Sequence, residues 1–349
     1  MKRAKQRDSN FEVLRILSMC GIIAVHYMNN EIGGAVQNAV FPNFSWLFSH
    51  FLSSFCVPLI NCFVLISGYF LISKRTFHSL RKSVDLLLIT AFYGIIAYGI
   101  SVITGNNAFK FSELAYAIVP FLRGKRWFVE TYIILILFAP FLNKMLNSLS
   151  RKPYNVLLTV QIMIFSVWYS LGFGAPLLDD GYGIINFITL YMIGGYLKLY
   201  GKNMKLYQQK GWKLLVGFLG TSILTFLLSY FTNPYGYAFV TNILGAAILF
   251  VFFMKWDIGE IRLVNEISSA AFDVYFVHSD KNTSLLLIYE LLGAKFVADT
   301  PLIAAHILFV VVVVWLVGFC ACQIRKWIFG VTVNRWLDKS QFINRELEI

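Results

Sequence analysis

The stretch FEVLRILSMCGIIAVHYM, residues Phe11–Met28, decides the fold class, because it is long and apolar enough to cross a membrane and still carries ionisable groups. Glu12 and Arg15 lie near one end and His26 near the other. A purely structural membrane helix avoids such groups, since burying them in hydrocarbon is costly. Arg15 and His26 are eleven residues apart, about three helical turns, so both project from one face. About 16 Å of helix axis separates them, roughly half of a bilayer core of about 30 Å.

The rest of the chain has the composition of a polytopic membrane protein. Of its 349 residues, 58% are hydrophobic and 14% are charged, whereas soluble domains carry about 25% charged residues. The net charge of +12 falls mainly in short loops between apolar segments. That distribution is a topology signal, so we expect no nucleic-acid partner. The five cysteines stand within apolar segments and lack metal-ligand spacing, so we expect neither disulfides nor a metal site.

Hydropathy predicts an all-α bundle of about ten transmembrane helices, with the whole chain, residues 1–349, forming one integral-membrane domain. The predicted spans are 11–29, 46–72, 83–104, 128–147, 154–173, 182–200, 211–231, 236–254, 268–292 and 302–325. The ninth span is the weakest, because ionisable residues interrupt it.

The lysine and arginine distribution predicts the orientation of the bundle. With ten spans, most of the 30 Lys and Arg residues fall on the side that holds both termini, and the positive-inside rule makes that side cytoplasmic. We therefore expect Arg15 to enter from the cytoplasmic end and His26 to reach the outer half of the membrane.

His26 and Arg15 are the catalytic candidates. A histidine with an ordinary pKa near 6.5 is largely neutral at physiological pH and accepts a proton from an alcohol. A membrane histidine equally often makes only a helix–helix hydrogen bond. Arg15 keeps its charge and needs an anion or a carboxylate. Glu12, three residues earlier, would satisfy that need, so a structural ion pair is the alternative to a ligand site.

A second candidate site follows the second predicted span. Ser67-Gly68 allows close helix approach or a local break. The basic residues behind it match phosphate, which predicts a site for a phosphorylated cytosolic donor; ordinary positive-inside charge is the alternative. The donor-binding candidates are Ser67, Lys74, Arg75, Arg81 and Lys82.

A third group is predicted for the outer, acceptor side. Aromatic residues at the start of the fourth span are either interfacial anchors or a platform for a sugar, with a nearby carboxylate to orient an acceptor hydroxyl. Polar residues inside the ninth span are costly, so they face the bundle interior as catalytic groups or polar contacts, or the span ends early at its histidine. The acceptor-side candidates are Glu130, Trp127, Tyr275, His278 and Asp273.

With these motifs the sequence resembles acyltransferase family 3, the bacterial membrane-bound O-acyltransferases of surface polysaccharides. Arg15 followed by His26 resembles the family's R-x10-H motif. The segments FVLISGYF (63–70), WFVETY with its later proline (127–140) and YFVH (275–278) are similar to further family motifs. Each piece is modest, but their order and spacing together are specific.

The resemblance implies about ten helices in the bacterial cytoplasmic membrane, with cytoplasmic termini. It implies transfer of an acyl group, usually acetyl, from cytosolic acyl-CoA to a carbohydrate hydroxyl outside. Arg15 and His26 would be the essential pair, and the basic residues after Ser67-Gly68 the donor site. The expected partners are acetyl-CoA as co-substrate, a polysaccharide or lipid-linked glycan, and membrane lipids, with no tightly bound cofactor.

Two departures from the family pattern stand out. The family often has R-x-R after S-G, whereas this chain has Lys74-Arg75 and Arg81-Lys82, and Asp273 replaces a commonly small residue.

A different class of function, a transporter or flippase of sugar-linked or lipid intermediates, would share the spans and intramembrane charges. Internal repeats would favour a transporter, and the sequence shows no clear repeat.

Overall fold

The computed structural model describes residues 8–28, 41–74, 79–119, 126–173, 179–340 and 343, and over these ranges the chain is helical without a strand. The helices are α1 Ser9–Met28, α2 Phe44–Leu71, α3 Ser79–Ile103, α4 Phe111–Ile118, α5 Trp127–Ser148, α6 Arg151–Ile162, α7 Ile184–Tyr200, α8 Gly211–Leu228, α9 Val240–Lys255, α10 Arg262–Ser268, α11 Ala271–Ser279, α12 Ile303–Val331 and α13 Val333–Lys339. Short helical turns connect several of them.

Among the described helices, six are long and apolar enough to cross a membrane, namely α1, α2, α3, α5, α8 and α12. The prediction of a helical membrane bundle is confirmed in its class, whereas the count of ten spans is not confirmed. Two predicted spans form shorter helices, α7 with 17 residues and α9 with 16. The predicted span 154–173 becomes α6 continued by a π-helical turn, Met163–Val167, and a final turn, Trp168–Ser170.

The predicted span 268–292 is broken into several pieces. α10 and α11 are separate helices, and the chain continues through the turn Lys281–Ser284 into a π-helical segment, Leu285–Leu291. Asp280 marks one break, because its backbone is extended and its side chain accepts the N–H of Asn282 at 3.0 Å. Such a residue caps the following turn instead of continuing the preceding helix. Of the alternatives for this span, an early end just after His278 matches the structure.

α2 is the central helix, with α1 and α7 making the most extensive contacts along it. A Cβ atom added to Gly68 would lie 2.1 Å from the carbonyl oxygen of Tyr191, and one added to Gly194 would lie 2.3 Å from that of Leu65. α2 and α7 therefore meet backbone to backbone, as small residues allow in membrane bundles. The Ser67-Gly68 pair is a close-approach site, and α2 runs through it unbroken.

The end of α2 is held by α5. The Asn143 amide nitrogen donates to the Leu71 carbonyl at 2.8 Å, and its oxygen accepts the Tyr191 hydroxyl at 2.7 Å. One turn later, the Asn147 amide donates to the Ile72 carbonyl at 2.8 Å. These bonds satisfy carbonyls that a helix leaves open at its carboxyl end.

A buried ion pair joins α3, α11 and α12. The Arg325 guanidinium donates to both carboxylate oxygens of Asp273, at 2.5 and 3.1 Å, and the Tyr93 hydroxyl donates to the same carboxylate at 2.8 Å. Arg325 lies inside α12, which continues to Val331, beyond the predicted end at 325. An arginine inside a membrane bundle is tolerated when it faces a carboxylate.

Candidate active site

Two cavities lie along α1, one at each of its candidate residues. Arg15 lines a cavity of about 430 Å³, together with an adjoining space of about 380 Å³ that shares Arg15, Ser67, Lys82 and Tyr132; we call the two the Arg15 cavity. His26 lines a cavity of about 800 Å³, the His26 cavity. The face of α1 that carries Arg15 and His26 therefore lines two cavities, one at each residue.

Arg15 is paired inside the protein and still reaches its cavity. Its guanidinium donates to the Glu12 carboxylate, which also accepts the hydroxyl of Ser268. The Arg15 side chain nevertheless keeps 26% of its surface exposed. A guanidinium has five N–H donors, so one ion pair leaves donors for a second anion. The ion-pair alternative is therefore present in the structure, and it does not exclude a ligand.

Three of the five predicted donor residues line the Arg15 cavity, namely Ser67, Lys74 and Lys82. Arg81 instead forms an ion pair with Asp338 of α13, with a nitrogen–oxygen distance of 2.5 Å. Arg75 lies outside the described residues. The structure thus places three of the predicted donor residues at this cavity and pairs a fourth, Arg81, with the carboxyl-terminal helix.

The floor of the Arg15 cavity is polar. The hydroxyls of Ser67 and Tyr132 lie 2.9 Å apart, and the Lys82 ammonium stands 5.9 Å from the Tyr132 ring centre. The cavity wall also contains Asp85 and the paired Arg325. The basic residues of this cavity are balanced by carboxylates. An anionic ligand would therefore be bound by individual hydrogen-bond donors and not by a large net positive charge.

The His26 cavity is aromatic. Trp127 stacks on Tyr237 with ring centres 5.2 Å apart and planes 23° apart, and Tyr182 meets Trp127 edge-on at 4.5 Å. Tyr235 and Tyr275 complete the aromatic lining. Such rings combine flat apolar faces with hydrogen-bonding edges, the combination that a sugar ring requires.

His26 stands beside a second histidine. The ring centres of His26 and His278 are 5.0 Å apart, with His26 half-buried and His278 fully buried. Nδ1 of His278 lies 2.6 Å from the carbonyl oxygen of Val274. Nδ1 of His26 and Nε2 of His278 are both buried and have no hydrogen-bond partner among the described residues.

Three aromatic rings separate the cavities. Phe63 and Phe128 line the Arg15 cavity, Tyr275 lines the His26 cavity, and Phe128 lies 6.3 Å from Phe63 and 5.8 Å from Tyr275 between ring centres. Tyr275 in turn stands 6.3 Å from His26. We call Phe63, Phe128 and Tyr275 the aromatic partition.

Comparison with known protein families agrees with this architecture. The family model described as an acyltransferase domain, that of acyltransferase family 3, matches residues 8–322, nearly the whole chain. The chain belongs to acyltransferase family 3. No curated protein and no solved structure matches it. Its membership supports acyl transfer by a protein whose apolar helices fit a multi-pass membrane location.

Two acceptor-side candidates of this acyltransferase, Glu130 and Asp273, do not line the described His26 cavity. Glu130 is buried, and its carboxylate accepts the backbone N–H of Arg126 at 3.1 Å. That bond satisfies a donor at the start of α5, the ordinary task of an acidic residue in a first turn. Asp273 lines the Arg15 cavity instead and is held by Arg325. The assignment of these two residues to the acceptor side stays a prediction.

The sequence reasoning missed several residues that this acyltransferase places in the cavities. Arg325 is the last residue of the final predicted span and was not among the site candidates. Tyr132 belongs to the motif WFVETY but was not a site candidate either; it lies four residues after Phe128, and their rings stack at 6.2 Å. Tyr182 and Tyr237 carry no local signal, because they reach Trp127 only through tertiary packing.

Proposed function

We propose that this acyltransferase moves an acyl group, most simply acetyl, from cytosolic acyl-CoA to a hydroxyl of a cell-surface or exported polysaccharide. The observation that carries the proposal is the pair of cavities along α1, with Arg15 in one, His26 in the other and a thin partition between them. A donor from one side of a membrane and an acceptor from the other meet in such an arrangement. The proposal places both termini in the cytoplasm of a bacterium.

The Arg15 cavity is the proposed donor site. Coenzyme A carries phosphates, and Arg15, Lys74 and Lys82 supply donors for them. Arg15 lies about 16 Å along α1 from His26, so it holds a remote part of the donor and does not touch the reacting carbonyl. Binding energy from a remote group aligns the reacting atoms.

His26 is the proposed general base. As the acceptor oxygen forms its ester bond to the acyl carbon, His26 takes the hydroxyl proton. The carbon–sulfur bond breaks, and the departing thiolate takes that proton from His26 and leaves as coenzyme A. The step needs no further reactant.

The His26 cavity is the proposed acceptor site. Trp127 and Tyr237 form an aromatic surface, and Asn107, Asp280 and Asn282 add hydrogen-bonding groups to the same lining. A sugar fits this mixture of ring faces, amides and one residue of each charge, Asp280 and Lys281.

The test compares polysaccharide acylation, measured by mass spectrometry, in cells that express variants at equal membrane levels. His26→Ala should lower acylation about 100-fold or more, the usual contribution of a general base, and Arg15→Ala should raise the acyl-CoA concentration required. Arg262→Ala, an exposed arginine on α10, is the matched control. His306→Ala is the second control, because both its ring nitrogens are bonded, to Tyr27 and to the Leu292 carbonyl. Full activity in both His26→Ala and Arg15→Ala overturns the proposal.

The transporter alternative shares one feature with the structure, since α10 and α11 form a discontinuous segment. Thermal unfolding of the purified protein separates the two functions. Saturating acetyl-CoA should raise the melting temperature of a donor-using enzyme, because a ligand that binds only the folded state stabilises it. Stabilisation by a lipid-linked glycan but not by acetyl-CoA would favour transport.

A further inference from the structure

The strongest unexplained feature is that the neighbouring residues His26 and His278 each have one ring nitrogen without a partner among the described residues. Both nitrogens are buried, and neither has a hydrogen-bond partner among the described residues. Buried polar atoms in folded proteins are nearly always bonded, so an orphan pair demands an explanation. The ring centre of His278 lies 5.0 Å from that of His26, closer than the ring centre of Tyr275 at 6.3 Å.

The hydrogen bond to Val274 fixes the tautomer of His278. A carbonyl oxygen only accepts, so Nδ1 of His278 carries the hydrogen in its 2.6 Å contact with Val274. In the neutral ring Nε2 is then a lone-pair acceptor. This acceptor is the atom that is buried without a partner.

The spacing of the two rings suits one hydrogen bond. A ring nitrogen lies about 1.2 Å from the ring centre, so two imidazoles joined by a bond of about 2.9 Å have their centres about 5 Å apart. In the structure the ring centres are 5.0 Å apart and the ring planes 52° apart. The two nitrogens are not bonded to each other in this structure, so the bond requires one of the two rings to turn.

We propose that His278 is a positioning residue that accepts a hydrogen bond from Nδ1–H of His26. We call this chain of hydrogen bonds, from the Val274 carbonyl through the rings of His278 and His26, the relay. It leaves the lone pair of His26 on Nε2, toward the His26 cavity. This inference rests on the proposed function of His26 as general base. The orienting group is a second neutral imidazole, so the relay places no carboxylate in the apolar part of the bundle.

The relay also defines where the proton goes. Nε2 of His26 accepts the hydroxyl proton of the acceptor as the ester bond forms, and Nδ1–H donates to His278 throughout. The resulting positive charge is shared across the bond, and the departing thiolate then removes the proton from Nε2. His278 itself gains and loses no proton in the cycle.

Two substitutions separate the relay from a purely structural role. In His278→Asn the amide nitrogen replaces Nδ1, which keeps the bond to Val274 and removes the acceptor for His26. In His278→Gln the amide oxygen replaces Nε2, which keeps the acceptor. The relay predicts that Asn lowers kcat about tenfold or more, on the scale of a disturbed general base, with KM for acetyl-CoA unchanged. Gln should stay within about threefold of the parent.

Retained kcat in His278→Asn overturns the relay, as does an equal loss in both variants. The double variant His26→Ala/His278→Asn provides a second measurement. If His278 acts through His26, the Asn substitution costs nothing further once His26 is absent; an additional loss contradicts the inference. Full activity of His26→Ala alone would instead contradict the proposed function, so the two failures are distinguishable.

Discussion

At the scale of single residues, Arg15 holds two roles in one side chain. Its ion pair with Glu12 lies mostly inside the protein, and Glu12 has a second bond from Ser268. Removing one partner of a buried ion pair costs about 3–5 kcal/mol because the other charge is left unpaired. An inactive Arg15→Ala therefore combines lost binding with lost stability. Glu12→Gln/Arg15→Ala removes both charges and isolates the binding term.

Trp127 should govern use of the acceptor alone. Replacing it by alanine removes the ring that stacks on Tyr237, so the apparent KM for the glycan should rise about tenfold, the scale of one aromatic contact. The KM for acetyl-CoA should stay constant, because Trp127 does not line the described Arg15 cavity. Steady-state acylation with each substrate varied in turn measures both. Trp212→Ala, an exposed tryptophan on α8, is the control, and a rise in both KM values would contradict the assignment.

At the scale of helices, the contact between α2 and α7 positions both cavities. Ser67 lies next to the close contact at Gly68, and its hydroxyl meets Tyr132 of α5. Phe63, one turn earlier on α2, belongs to the aromatic partition. A small displacement of α7 would therefore change the Arg15 cavity and the aromatic partition together.

Gly68→Ala should destabilise the bundle by about 1–3 kcal/mol, the cost of overpacking a close contact. Its added Cβ meets a carbonyl oxygen of α7 at 2.1 Å, and backbone cannot move aside as a side chain can. The control is Gly99→Ala on α3, where nothing lies within 4 Å; it should stabilise α3 by about 0.5–1 kcal/mol. Thermal unfolding in detergent measures both. Equal melting temperatures for the two variants would show that the helices are not in close contact.

Sequence reasoning predicted the helical membrane class and the shared face of Arg15 and His26, because apolar length and helical period are local properties. Hydropathy extended the ninth span past Asp280, since it averages over a turn-forming residue, and an early end at His278 was only one of three alternatives. The ion pair of Asp273 with Arg325 joins residues that are distant in sequence. No periodicity reports which charges meet across a bundle, so this pairing could not be predicted from the sequence.

At the scale of the whole molecule, the proposed function requires the predicted orientation of the bundle, with the Arg15 cavity toward the cytoplasm and the His26 cavity toward the outside. Thr232 is exposed in the connection between α8 and α9. This connection also contains Tyr235, which lines the His26 cavity. Asn203 is exposed in the connection between α7 and α8. These two connections lie at opposite ends of α8, so they report opposite sides of the membrane.

A membrane-impermeant maleimide should label Thr232→Cys in intact cells and Asn203→Cys only after permeabilisation. The physical reason is the excess of basic residues around Asn203, which the positive-inside rule assigns to the cytoplasm. The background is the labelling of the parent with its five cysteines. The reverse pattern would place Arg15 on the outer side and exclude a cytosolic donor there.

The aromatic partition has a consequence for the membrane itself. In the proposed orientation the two cavities open to opposite sides of the membrane, and the voltage across the bilayer would fall mainly over the layer between them. A unit charge crossing 100 mV changes in energy by about 2.3 kcal/mol. Phe63, Phe128 and Tyr275 would then act as the electrical insulator between the two aqueous spaces.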